Sequence, residues 1–209
     1  MGTKKEVDRI SDHARVKIRE ARKRNQKARI AKAKHDARER LDDRELRQQW
    51  RTPPELFALL DAEFHFVVDV AARAENALCE EWYGPGSPFF SDARAMSCWS
   101  HDGSCFCNPG FSDPMPWHKL AWQTALHGGV SVALVGLVGA SQAWYEFVYF
   151  HSSEIRVLAP RAQYLKPIGS KIKPSSNMRE TSITIYTPES DPLTPTKTRL
   201  WKWKEGILL

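Results

Sequence analysis

At 209 residues the chain has room for one domain with a real core, or for a small domain plus an arm. Its net charge of +6 is unevenly spread: residues 1–50 hold 17 Lys or Arg against 9 Asp or Glu, a net of +8, and the rest stands at −2. No apolar run is long enough to span a bilayer and nothing at the N-terminus resembles a secretion signal, which points to a soluble, cytoplasmic protein with no membrane partner and no disulfides.

Residues 3–48 are rich in Lys, Arg, Ala, Glu and Gln, strong helix formers, and contain no Pro. The apolar positions Ile10, Val16, Ile18, Ile30, Leu41 and Leu46 hold no heptad, so a coiled coil is not indicated. The expectation is a basic, mostly helical or flexible arm over residues 1–49. Such an arm on a near-neutral body suits a polyanion such as nucleic acid, and equally a solvated helix or tail.

Thr52-Pro53-Pro54 ends the arm and predicts a new helix over 54–62, with Thr52 as its cap and Leu56, Phe57, Leu59 and Leu60 as its apolar side. Residues 64–72 form an apolar run with one acid, Asp69. A carboxylate there is costly without a partner, either a ligand at the strand's carboxyl end or a helix cap or structural ion pair. Residues 76–90 read as irregular, and Asp92 begins a further loop.

Ser104-Cys105-Phe106 reads as the start of a strand ending near Asn108, with Cys105 and Cys107 on one face. A helix over 116–127 follows, with Trp117, Leu120, Ala121, Ala125 and Trp122 toward the core and Gly128-Gly129 as its stop. Further strands are expected over 130–138, 155–158 and 183–186, with 141–151 helical. Residues 201–204 alternate as an edge strand would. The polar loop 166–179, with Lys166, Lys171, Lys173 and Arg179, suits a phosphate backbone or plain solvent. This order of strands and helices predicts one α/β sheet domain over 50–209. Cys79, Cys98, Cys105 and Cys107 have no paired metal-ligand spacing, and no metal is expected.

The most informative stretch is Asn108-Pro109-Gly110-Phe111. Asn brings a carbonyl oxygen as acceptor, Pro109 a rigid turn with an outward carbonyl, and Phe111 a stacking face. A flat, amine-bearing ring would find all three useful; a plain turn would also use Asn-Pro-Gly. The stretch resembles the Asp/Asn-Pro-Pro-Tyr/Phe motif of methyltransferases that modify exocyclic amines. Taken with residues 50–57, 68–72, 75–79 and Pro116-Trp117, it resembles the phage-type DNA N-6-adenine methyltransferases. The similarity covers roughly residues 50–164, and Gly110 stands where the family usually has a second Pro.

The resemblance implies a Rossmann-like methyltransferase sheet flanked by helices, using S-adenosylmethionine to methylate N6 of adenine in double-stranded DNA, in a host cytoplasm if phage-encoded. It implies catalytic positions at Asn108, Pro109, Gly110 and Phe111. It implies cofactor-binding positions at Trp50, Thr52, Pro53, Asp69, Ala71 and Asp92. Ala71-Ala72 replace the usual glycine-rich pattern. The alternatives are a non-catalytic DNA-binding protein that keeps the fold, raised by the flexibility of Gly110, and methylation of cytosine or a protein amide. The target sequence and oligomeric state are not encoded in any feature of the chain.

Overall fold

The computed structural model describes residues 48–139, 144–168, 180–189 and 193–209. The basic arm up to residue 47, most of the loop 166–179 and the start of the segment 141–151 lie outside the described residues. Eight strands form one mixed sheet, consistent with the expected α/β methyltransferase-like fold. In chain order they are β1 (Val68–Asp69), β2 (Glu81–Trp82), β3 (Cys105–Cys107), β4 (Val132–Leu137), β5 (Glu154–Leu158), β6 (Thr181–Tyr186), β7 (Lys197–Lys202) and β8 (Ile207–Leu208). The spatial order is β2-β1-β3-β4-β6-β5-β7-β8. Strands β2, β1, β3 and β4 run parallel; β6 is antiparallel to both β4 and β5.

Two helices cover the sheet, α1 (Pro54–Phe64) and α2 (Met115–Gly128). Strand alternation divides the core between them. Val68, Val70, Cys105, Cys107, Val132 and Leu134 face α2, where Leu120, Ala121 and Ala125 meet them. Phe106, Ala133, Val135, Ile183 and Ile185 face the other way, toward Leu56 and Leu60 of α1. Asp69 and Asn108 each follow a residue of the α2 face, so the alternation turns both toward the α1 side.

Several local expectations are corrected. Helix α1 runs to Phe64 and closes through His65 in the left-handed region (φ 53°), whose N–H donates to Asp61. Leu59 is exposed, so the buried stripe is Leu56 and Leu60. Residues 76–90 are not wholly irregular: β2 lies there, parallel to β1. Residues 201–204 do not form an edge. Strand β7 is paired on both sides, by β5 and β8, and Trp203 sits in the turn between β7 and β8 with its indole N–H on the Pro160 carbonyl, 2.7 Å away. The helical reading of 141–151 becomes, among the described residues, a π-helical turn (Trp144–Val148) leading into the short α3 (Tyr149–His151).

One polar contact ties the α1 face to the far half of the sheet. The buried Arg156 of β5 makes a two-pronged bond to Glu63 of α1, both contacts at 2.6 Å, and is flanked by Glu154 at 3.2 Å. Its guanidinium also lies over the rings of Phe64 and Trp201.

Candidate active site

From β1 the chain moves to one side to make β2, then crosses back to make β3 on the other side. A reversal of this kind is where a ligand crevice is expected, beyond the carboxyl ends of the strands. Asp69 ends β1 and Asn108 follows β3, so two of the expected site residues lie at that position.

Asn108 is held by the segment before α1. Its side-chain NH2 donates to the Trp50 carbonyl and to Thr52 Oγ1, both at 2.9 Å. A backbone carbonyl only accepts, so the amide nitrogen must face Trp50, and this fixes which end of the amide is which. The side-chain oxygen Oδ1 is bonded by no described group and remains an acceptor. Thr52 therefore does not cap α1. The N-cap is Pro53, whose carbonyl accepts from Leu56 and Phe57 at 3.0 and 3.1 Å, and the threonine hydroxyl orients Asn108 instead.

Gly110 is glycine for reasons of space. It does not use the left-handed region; a Cβ added there would come within 2.9 Å of Gln48 Cβ and 3.0 Å of Gln48 Oε1. The same Oε1 accepts the Ser112 N–H at 2.9 Å. The loop is thus strapped across its third and fifth residues by Gln48, which no sequence motif marked. This neighbour also restrains the glycine whose freedom suggested a non-catalytic protein.

Asp69 is 3 % exposed. Its two carboxylate oxygens accept the backbone N–H groups of Ala71 and Leu78, at 3.3 and 3.2 Å. Burial pushes its carboxyl up to about 7, against the lowering effect of those two bonds. The acid closes its own loop. Ala71 takes part in that closure as a backbone donor. Asp92 stands apart in chemistry: it is half-exposed, caps the 3-10 turn 93–95, and is held below the usual carboxylate range by hydrogen bonds from Arg94.

A cavity of about 270 Å³ opens between the loop after β3, the start of α2 and the end of β4. Its lining includes Pro109, Gly110 and Phe111 of the loop, His118 of α2, and residues 136–139. The size is near the low end for small-molecule sites, ~300 Å³, and suits one flat ring system. Phe111 is half-buried, with the α1-side core behind it. His118 is fully buried, and its Nδ1 lies 2.8 Å from the Tyr186 hydroxyl. Burial lowers its imidazole to about 4, so it is neutral near pH 7.

Residues 41–202 match the family described as DNA N-6-adenine-methyltransferase (Dam). The chain belongs to this family. It is accordingly an enzyme of the DNA N-6-adenine-methyltransferase class, whose substrate is adenine in DNA. No curated protein matches the chain. No helix among the described residues is long and apolar enough to cross a membrane.

The structure brings Trp50, Thr52 and Asn108 together, places Asp69 and Ala71 on the adjacent strand end, and pairs the Asp92 carboxylate with Arg94. The sequence reading missed Gln48, His118 and Tyr186. A signal for His118 existed: with Ala121 and Ala125 it keeps the i, i+3, i+7 spacing of the buried face.

Proposed function

We propose that this methyltransferase uses S-adenosylmethionine to methylate the N6 amine of an adenine swung out of duplex DNA, with the amine held by Asn108, Pro109 and Phe111. The observation that carries the reading is the orientation of the Asn108 amide, whose nitrogen is anchored to Trp50 and Thr52 while its oxygen stays available.

The residues suit such a cofactor. The switch-point crevice lies where parallel sheets accept nucleotide-like ligands. Among the described residues Asp69 is the acid at that strand end; it is buried, and a cationic neighbour would favour its charged form. Trp50, Thr52, Pro53, Asp69 and Ala71 would hold it, with Asp92 at the periphery. S-adenosylmethionine supplies a methyl group activated by a sulfonium. All other work falls to the chain.

The adenine amine is a poor nucleophile because its lone pair is delocalised into the ring. Asn108 Oδ1 and the Pro109 carbonyl accept its two hydrogens, which favours a pyramidal nitrogen with the lone pair free. Phe111 stacks on the ring, a contact worth roughly 1–3 kcal/mol. Removing the base from the duplex costs a few kcal/mol, which stacking and loop contacts offset. Asn108 is no base, so the proton leaves to solvent after transfer. Rate comes from positioning and preorganised acceptors. Because Trp50 and Thr52 both hold Asn108, the same segment serves the cofactor side and the amine side.

The test is methyl transfer from labelled S-adenosylmethionine to unmethylated DNA, followed by nucleoside analysis. N6-methyladenine is expected. A product on cytosine would overturn the choice of base, and no product with bound cofactor would overturn the enzyme mechanism.

A further inference from the structure

We propose that His118, held in one tautomer by Tyr186, donates a hydrogen bond from Nε2 to a ring nitrogen of the flipped target base. The inference rests on the reading of the loop given above and adds a base-positioning residue to it.

The tautomer follows from counting partners. The Tyr186 hydroxyl is fully buried and has one proton to place. Its partner is His118 Nδ1 at 2.8 Å. Were Nδ1 to carry the hydrogen, the phenol would accept it and leave its own proton buried without an acceptor, which is costly. The phenol therefore donates, Nδ1 accepts, and the neutral imidazole carries its hydrogen on Nε2. Its depressed pKa keeps this the working form throughout the neutral range.

His118 lines the cavity, and its Nε2 lies beside the lining residue Gly136. A Cβ built on Gly136, a lining residue, would lie 3.5 Å from Nε2 and 3.6 Å from Cε1. No described group bonds Nε2. The cavity is then lined both by Pro109, which directly follows Asn108 in the loop proposed to hold the amine, and by His118 with its one neutral donor.

That pattern matches adenine, which shows an amine beside a ring acceptor on both its edges. It repels guanine and thymine, whose exocyclic group at that position is a carbonyl oxygen. A neutral donor also suits a neutral base better than a cation would, because it needs no counter-charge inside the cavity.

The probe is a synthetic duplex containing an adenine that the intact enzyme methylates, together with duplexes carrying 1-deaza-, 3-deaza- or 7-deazaadenine at that position. The intact protein should lose about tenfold in kcat/KM on one of the three analogues. His118→Leu should lose about as much on adenine and nothing further on that same analogue. His118→Gln, which returns an N–H near Nε2, should recover part of the loss. Gly136→Ala leaves both buried residues in place and sets a methyl in van der Waals contact with Nε2, where a base would approach, so it should lower turnover on adenine more than on that analogue. If His118→Leu and Gly136→Ala each reduce turnover equally on all four bases, or not at all, His118 does not touch the base and the inference is overturned alone. If the intact protein methylates no adenine in any DNA, the reading of the loop falls and takes this inference with it.

Discussion

Asp69 and His118 should titrate against each other, and removing either should reveal the other. Burial raises the Asp69 carboxyl from 3.8 to about 7. Between those values the folded protein keeps a proton that the unfolded chain has released. Stability from this group therefore falls as pH rises from about 4 to about 7, by roughly 4 kcal/mol in total at 1.36 kcal/mol per pKa unit, and is level beyond. His118 runs the other way. Burial lowers it from 6.5 to about 4. Between these values the unfolded chain takes up a proton that the fold refuses. Its contribution is fully present above pH 6.5 and is lost as pH falls toward 4, roughly 3 kcal/mol in total.

Across the shared window the two slopes nearly cancel in the intact protein. Urea unfolding of the intact protein, Asp69→Asn and His118→Gln, from pH about 4 to about 8, separates them. Asp69→Asn keeps an oxygen acceptor for one of the two loop amides. Relative to the intact protein it should gain stability with rising pH across the window, by up to roughly 4 kcal/mol. His118→Gln should show the opposite, a relative loss with rising pH of roughly 3 kcal/mol. Exposed groups contribute equally to all three proteins, so the differences isolate the buried pair. Three parallel stability curves would refute the reasoning, because neither group would then be desolvated as the structure implies.

Asn108→Ala should abolish methyl transfer while leaving S-adenosylmethionine binding by calorimetry within a few fold, and Thr52→Val, which removes one of the two acceptors holding the amide, should lower kcat by about tenfold. Gly110→Ala should cost about 1–3 kcal/mol in urea unfolding by overpacking against Gln48, and Gln48→Gly in the same chain should restore most of it; Gly110→Pro faces the same obstacle. Arg156→Ala leaves the half-exposed Glu63 without its cation, while Glu154 keeps Arg199 at 3.4 Å, and should cost about 1–3 kcal/mol, read as a fall in the urea midpoint without loss of activity per folded molecule. Removing residues 1–45 should weaken DNA binding and flatten its salt dependence while cofactor binding persists, and an unchanged salt slope would assign the arm another task.

What was legible in the sequence follows from how local each cause is. The alternation of Cys105, Phe106 and Cys107 between the two core faces, and the glycine stop of α2, are set by backbone period and by φ at Gly129, and both can be read from neighbouring residues. The loop Asn108 to Phe111 stood out because its residue types resemble a known motif. Its supports were not visible, because they arrive from far along the chain. Gln48 reaches Ser112, Thr52 reaches Asn108, and Tyr186 reaches His118, each across more than fifty residues. Thr52 shows the difference most clearly. Its position before Pro53-Pro54 has the form of a helix cap, and the local rule assigns it there. In the fold its hydroxyl meets an amide that must be oriented, and a bond to the partly buried Asn108 takes precedence over a cap that the Pro53 carbonyl and the chain's own turn make unnecessary. The same holds for Asp69: a lone acid in an apolar strand announces that a partner exists, but only the return of the chain at Leu78 shows that the partner is the loop's own backbone. A buried polar side chain in a sequence therefore identifies a debt of hydrogen bonds, and the topology decides which residue settles it.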